Sequence, residues 1–363
     1  AQRGCCHVAK LGLKPTIRAL TFFTGNASSV FELRKELEHA IEILQLAESR
    51  LSELGYKVFT KRVSFPGLSA HLAFKLLDML EKGVLASTGY SRDLSLNDVA
   101  ELASQGIYVP ILHRSEPSID HAKKYSEIIH SASKRSYVAA TRISVGFHQE
   151  DFVTPYYPDS SSPGRRFIGL ALLYPDLLLE LLKQGLELEE SVKLVLESVE
   201  PIIRLLKSLT GLEVYVDYSL SPWMESSVAG IYEVLGYSVL SPGAAYLTWL
   251  VNKYITEYSN PDARVGFNEV MLPYAEDSLL MKYGAQGLLK ARDFLVYAST
   301  CVAGVDMIVV HEDVHTLAKL IASTMALARV KNRPLPFRAI PGSENPGEVA
   351  YIERFGHVPV LNY

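Results

Sequence analysis

Thr16-Ile-Arg-Ala-Leu-Thr-Phe-Phe23, closed by Gly25-Asn26 and followed by a run from Val30 to Leu54, sets the reading of the whole chain. Its β-branched and aromatic residues predict a strand. In the run that follows, Leu33, Leu37, Ile41, Leu44 and Ala47 recur at spacings of three and four, the period of one helix face. Gly55 then stops the helix in the usual position just past its end. The alternation continues outward. Strands are predicted at Tyr56 to Val63, Ile107 to Leu112, Tyr137 to Val145, Phe167 to Leu173, Leu212 to Ser219, Val265 to Leu272 and Val305 to Val310. Helices fit at Leu68 to Glu81, Ser118 to Ser131, Leu186 to Leu209, Trp223 to Leu235, Ala244 to Tyr258, Leu288 to Ala298 and Val314 to Ala328. Such alternation points to an α/β fold of parallel strands joined by crossover helices. The near-continuous apolar strands imply that both sheet faces are covered.

No Pro/Gly/Ser-rich linker divides the chain, so residues 1–15 read as a tail and 16–363 as one barrel-like domain. A length of 363 residues exceeds the ~250–300 at which single cores usually stop growing, but barrels are the common exception. The last stretch, from Phe337 to Tyr363, suggests a terminal hairpin. The stretch from Phe152 to Arg166, with Thr154-Pro-Tyr-Tyr-Pro158 and three consecutive serines, reads as a surface loop over a site.

Hydrophobic residues make up 48% and charged residues 21% of the chain, ordinary for a packed globular domain. A net charge of -4 gives no electrostatic case for nucleic acid or an anionic membrane. No apolar run approaches the ~20 residues of a membrane span. The three cysteines, Cys5, Cys6 and Cys301, make neither a disulfide framework nor a CxxC pair, so a reducing compartment and a cytoplasmic location are expected. The chain does not begin with Met, so its start is expected to be processed or incomplete.

Several chemical signatures fail: GxGxxG after a strand, the P-loop, HExxH and the GxSxG elbow. His311-Glu-Asp-Val-His315 places two histidines four apart, which on a helix would let both reach one metal ion. The alternative is that Asp313 caps a helix. What survives is positional, because ligands gather beyond the carboxyl ends of parallel strands. Polar residues follow five of the predicted strands: Asp217 and Ser219; His311, Glu312 and Asp313; His148, Glu150 and Asp151; Glu276 and Asp277; and Arg62 and Ser64 after Lys61. Converging carboxylates suit a divalent metal ion or a division of acid and base roles. Asp217, Glu276 and Glu312 are the candidate acid/base residues, and Asp277, Glu312 and Asp313 the candidate metal ligands. Lys61, Arg62, Ser64, Ser219 and Gly243 are the candidate contacts to a small anionic ligand. Arg62 offers a planar fork of donors, and Gly243 opens a helix whose N–H groups would be free for an anion. For the carboxylates the competing reading is an N-cap or surface role, for Arg62 pairing with a nearby carboxylate, and for Gly243 a tight strand-to-helix turn.

Ile17-Arg-Ala-Leu-Thr21, Lys61-Arg-Val-Ser64, Asp217-Tyr-Ser-Leu-Ser-Pro222, Pro273-Tyr-Ala-Glu-Asp277 and Cys301-Val-Ala-Gly-Val-Asp-Met-Ile308 with Glu312-Asp313 also carry a resemblance. In that order they resemble domain-of-unknown-function family seven-one-one, from about Thr16 to the C-terminus. The resemblance implies a ten-stranded α/β barrel with helices outside, similar to that of the glycyl-radical enzymes, pyruvate formate-lyase among them. It does not imply their reaction. Arg264-Val-Gly-Phe267 is only an incomplete likeness to their glycine loop, and Cys301 precedes its strand, as a small buried thiol would. The expectation is an enzyme or enzyme-like barrel binding a small anionic metabolite. The alternative is a non-catalytic sensor or partner-binding protein that keeps the barrel. A radical enzyme is a third, weaker reading. Trp249, Tyr254 and Tyr258 suggest a homodimer contact, with core packing as the competing reading.

Overall fold

The strand Thr16–Phe23 (β1) forms over the residues its composition marks. The computed structural model describes residues 12–300 and 304–363. Two further strands lie parallel beside β1: Lys61–Ser64 (β2) and Val84–Ser87 (β3). On its other side β1 meets Phe167–Leu173 (β6) antiparallel, and β6 carries Val214–Asp217 (β7) in parallel. The five-stranded sheet therefore runs β3-β2-β1-β6-β7. A second sheet, in the order β4-β5-β9-β8, uses Val109–His113 (β4), Ile143–Phe147 (β5), Val305–His311 (β8) and Leu335–Gly342 (β9). Its β5/β9 joint is again antiparallel. The hairpin Val349–Ile352 (β10) and Gly356–Pro359 (β11) stands apart. Helices and strands thus make a mixed α/β fold, and continuous ladders stop short of one closed ring.

The first helix, Val30–Glu53, shows why the elements stay put. Ser29 caps it by accepting from the Glu32 N–H, and Leu33, Leu37, Ala40, Leu44, Ala47 and Leu51 form its buried face. Each large apolar side chain so buried contributes roughly 1.5–3 kcal/mol.

The expected all-parallel order is corrected at two places, β1/β6 and β5/β9. That changes where strand ends point. The carboxyl ends of β1 to β5 face one side of the fold, and those of β6 to β9 face the other.

Other differences have local causes. The helix predicted from Leu186 to Leu209 is two, Leu188–Glu197 and Glu200–Thr210, because Pro201 cannot donate to the preceding turn and starts a new helix. Tyr137–Ala140 is a helical turn capped by Ser136, not the start of β5. The strand predicted from Val265 to Leu272 is absent. Gly266 and Asn268 take positive φ values of 85° and 56°, which bend the backbone around a carboxylate described below. The predicted surface loop 152–166 is instead buried from Thr154 to Ser162. The apolar rim residue Trp249 is 55% exposed beside Tyr246, whereas Tyr254 and Tyr258 are partly buried. No described helix is long and apolar enough to cross a membrane.

Candidate functional site

Loop 152–166 enters between the two sheets and is held there by polar side chains from both. Thr21 of β1 and Arg62 of β2 each donate to the Pro155 carbonyl, at 3.3 Å. Arg338 of β9 donates to the Tyr157 carbonyl at 3.2 Å. The Tyr156 hydroxyl donates to the Leu172 carbonyl of β6 at 3.2 Å, and Ser160 bonds Ser64 at 3.0 Å. At the loop's base Arg166 grips Glu36 of the first helix with both Nε and Nη2. Serines and tyrosines suit such a lining because each supplies a hydroxyl that satisfies a buried carbonyl.

Around the tip of this loop lies a cluster of buried charge. Arg18 pairs with Glu276 and also donates to the Pro222 carbonyl. Arg338 grips Asp306 through Nε and Nη2 and stands 3.9 Å from Glu276. Burial pushes the Glu276 carboxyl up, but Arg18, Arg338 and Arg354 together hold it below the usual glutamate range. Glu276 is therefore ionised at neutral pH. Asp159, on the loop itself, accepts from Ser144 Oγ. Burial and the nearby Asp306 raise its carboxyl to about 6, against the opposing pull of Arg338 and Ser144.

Arg62 differs from the other two. The residue is 3% exposed, and its guanidinium carbon lies 4.8 Å from the Tyr157 ring centroid. Nε donates to Thr60 Oγ1 at 2.8 Å. Among the described residues no carboxylate lies within ion-pair distance of it. Burial, with repulsion from Arg18 and Arg354, lowers its pKa to about 10 despite the opposing Tyr108 and Tyr157. Arg354, in the turn of the β10–β11 hairpin, is half-buried, lies over Trp223 and Phe355, and reaches the Tyr108 hydroxyl at 3.4 Å. Two guanidinium groups thus meet at this end of the interior, with Glu276 already engaged by Arg18.

Strand alternation separates the two basic residues predicted together. Arg62 and Ser64 face the loop, while Lys61 points outward to Glu48 on the first helix. Asp217 is fully buried and wrapped. It accepts from the N–H groups of Phe267 (2.8 Å), Asn268 (3.0 Å) and Ser219 (3.1 Å), and from Thr154 Oγ1 (3.1 Å) and Ser219 Oγ. These bonds bend 264–268 out of a strand. Ser219 serves the same nest.

Asp277 caps the helix Ser278–Ala285 and also accepts from Ser227, Val228 and Ala229, so it ties two helix starts together. Asp313 caps the helix Val314–Lys331. His311 ends β8 and His315 opens the helix, so the two histidines do not share a helix face. Glu312, partly exposed, faces His130 at 3.8 Å on a cavity of about 400 Å³ that Lys134, Tyr137 and Ser343 also line. Among the described residues no group of three or more His, Cys, Asp or Glu side chains is gathered to hold a metal ion, so Asp277, Glu312 and Asp313 do not form one ligand set. Gly243 has a positive φ of 95° at the start of the helix Ala244–Tyr258, where a Cβ would come within 2.9 Å of the Tyr237 ring. That is a tight turn. Cys5, Cys6 and Cys301 lie outside the described residues.

The interior cluster brings together Arg62, Ser64 and Glu276 from the prediction and adds Arg18, Asp159, Asp306 and Arg338. Three of these carry a readable signal. Arg18, Asp306 and Arg338 are single charges inside strands that are otherwise apolar, and a charge on a strand covered on both faces has to be paired inside. Asp159 carries none, since a loop aspartate is ordinary at a surface.

The chain is similar to curated proteins called UPF0210 protein. It is 28% identical over 155 residues to that of Lactobacillus helveticus (strain DPC 4571), covering 40% of this chain and 35% of the relative. It is 28% identical over 156 residues to that of Caldicellulosiruptor saccharolyticus (strain ATCC 43494 / DSM 8903 / Tp8T 6331), covering 40% and 34%. The matched stretch thus spans about a third of the length of each relative. Residues 113–352, which hold Asp159, Asp306, Arg338 and the whole loop, match a family profile, and the chain belongs to the family described as Uncharacterised ACR (DUF711).

Proposed function

We propose that this chain binds a small anionic metabolite in the interior between its sheets, at the tip of loop 152–166, with Arg62 as the principal contact. The observation that carries this reading is the buried Arg62 guanidinium, which has no carboxylate at ion-pair distance among the described residues while its neighbours Arg18 and Arg338 do. An uncompensated buried charge costs several kcal/mol, and an incoming carboxylate or phosphate would offset it through two parallel N–H bonds. Arg354 supplies a second guanidinium from the half-exposed hairpin turn. Ser64 lines the same face of β2. Glu276 fixes Arg18 and Arg338 in place. Asp217, Ser219 and Asp277 act through the backbone they hold.

The same reading places the cluster inside a ten-stranded barrel similar to that of pyruvate formate-lyase. A parallel bridge between Ser87 and Tyr108 supports joining β3 to β4. Bridges from Val216 to Arg264 and from Leu220 to Val270 lay an irregular tenth segment along β7, and the turn Tyr274–Glu276 packs against β8. An enzyme is the favoured form of the proposal, since acid, base and cation stand together there. A non-catalytic sensor would use the same anion site without turnover.

Titration calorimetry with oxalate and with sulfate tests the anion site, and the two probes separate a planar carboxylate from a tetrahedral, phosphate-like ligand. Saturable binding by the natural chain, lost in Arg62→Met, is expected. Equal heats from both proteins would end the proposal.

A further inference from the structure

Trp249, Asn252, Lys253 and Thr256 share one face of the helix Ala244–Tyr258, over a length of about 10 Å, and form one wall of a cavity of about 530 Å³. That volume suits a small organic ligand. Asn252 fixes the wall. Its Nδ2 donates to the Thr300 carbonyl at 2.7 Å, and its Oδ1 accepts from the Val270 N–H at 2.7 Å. The second bond pins the segment that carries Glu269 into the cavity. The Glu269 side chain is 6% exposed and pairs with the half-exposed Arg333. Lys331, which donates to the Ala298 carbonyl at 2.8 Å, and the exposed Lys253 are the cavity's other cations, and Glu257 is its other carboxylate. The described lining therefore carries three positive charges against two negative ones when Glu269 is ionised. Trp249 is 55% exposed, with Tyr246 stacked beside it at 6.1 Å.

We infer that this cavity binds a purine nucleoside monophosphate, at a second site that shares no residue with the interior cluster. Each part of that ligand answers a group in the cavity. The purine offers a broad π face to the exposed indole of Trp249, and stacking of a base on an aromatic side chain tolerates any base identity. The phosphate is drawn by Lys253, Lys331 and the planar fork of Arg333. An ionised Glu269 can only accept hydrogen bonds, so the group that meets it must be a donor, and base N–H groups and ribose hydroxyls are donors. Other ligand classes leave part of the cavity unmatched. A small inorganic anion would use the cations but neither Trp249 nor Glu269. A cationic amine would suit Trp249 and Glu269 but would meet three like charges.

Titration calorimetry with guanosine and adenosine monophosphates tests the site. At about pH 8 the phosphate is doubly charged, and the Glu269 carboxyl, which burial raises to about 7 against the pull of Arg333 and Lys331, is mostly ionised. Saturable binding of at least one nucleotide by the natural chain is expected. Trp249→Ala, at an exposed side chain whose loss the fold tolerates, should weaken it roughly ten- to a hundredfold. Lys253→Ala, also exposed, should weaken it about tenfold. Ribose 5-phosphate, which lacks the base, and guanosine, which lacks the phosphate, should each bind about tenfold or more weakly than the nucleotide. Arg62→Met should leave nucleotide binding in place; loss of binding there would assign the nucleotide to the interior and overturn this inference. Failure of both nucleotides to bind would overturn it too, as would ribose 5-phosphate binding equally well or affinity untouched by Trp249→Ala.

Discussion

The Arg62 guanidinium lies 4.8 Å from the centre of the Tyr157 ring, and that aromatic face is where an ion-pair partner would otherwise stand. A ring face beside a buried cation recovers some of the lost hydration, on the order of 2 kcal/mol, but less than a carboxylate would. Arg18, on the adjacent strand β1, and Arg338, on β9 of the other sheet, each have a carboxylate. Among the described residues, two of these three buried arginines are paired with a carboxylate and Arg62 is not.

Arg338→Met should be strongly destabilising. It would leave Asp306 buried with its ion pair gone and free the Tyr157 carbonyl. A loss of about 3–5 kcal/mol in denaturant unfolding is expected.

Gly266→Ala should damage the loop that wraps Asp217. At φ +85° an added Cβ would stand 2.0 Å from Asp217 Oδ2. The nest would have to open, losing the Phe267 and Asn268 bonds, and stability should fall by about 3 kcal/mol or more. Thermal denaturation checks it; a change under 1 kcal/mol would show that the nest yields cheaply.

Asp277→Ala removes the acceptor for two helix starts at once, which a single cap would not. A cost of about 2–4 kcal/mol is expected, against ~1 for an ordinary cap. Hydrogen exchange should quicken at both Val228–Val234 and Ser278–Ala285.

Asp159→Asn gives a pH signature. The carboxyl is raised from 3.8 to about 6, so the folded chain binds this proton more tightly than the unfolded one. Its contribution to stability is complete below about pH 4 and is lost as pH rises through 6. The asparagine variant stays neutral, so it should match the natural chain near pH 4 and exceed it by roughly 3 kcal/mol at pH 7. Denaturant midpoints across that range test it; a constant difference would contradict the raised carboxyl.

What the sequence makes legible follows from what decides each element. β1, the first helix and β6 are fixed by dense local patterning, and their predicted bounds agree with the structure to within a residue or two. β9 contains Pro336 and Pro341, which argue against a central strand, yet it lies between β5 and β8. Strand direction was not legible, because alternation of strand and helix does not reveal the antiparallel joints β1/β6 and β5/β9. Those joints are why Asp217 and Glu312, which follow β7 and β8, do not share an end with the residues that follow β2 and β5. Arg62 is legible as a candidate ligand contact from its charge. Its lack of a partner, and the burial of loop 152–166 beside it, depend on tertiary packing alone.

Stability with and without an anion tests the central claim most directly. Arg62→Met keeps the apolar stem and strands no partner, since Thr60 Oγ1 still bonds the Arg18 carbonyl and Thr21 still bonds the Pro155 carbonyl. In anion-free buffer the variant should be more stable than the natural chain by about 1–3 kcal/mol. Saturating oxalate or sulfate should then raise the natural chain by about 2–3 kcal/mol and leave the variant unmoved. A variant that is less stable without anion, and a natural chain indifferent to both anions, would mean that Arg62 is a structural residue and that the interior holds no anion site.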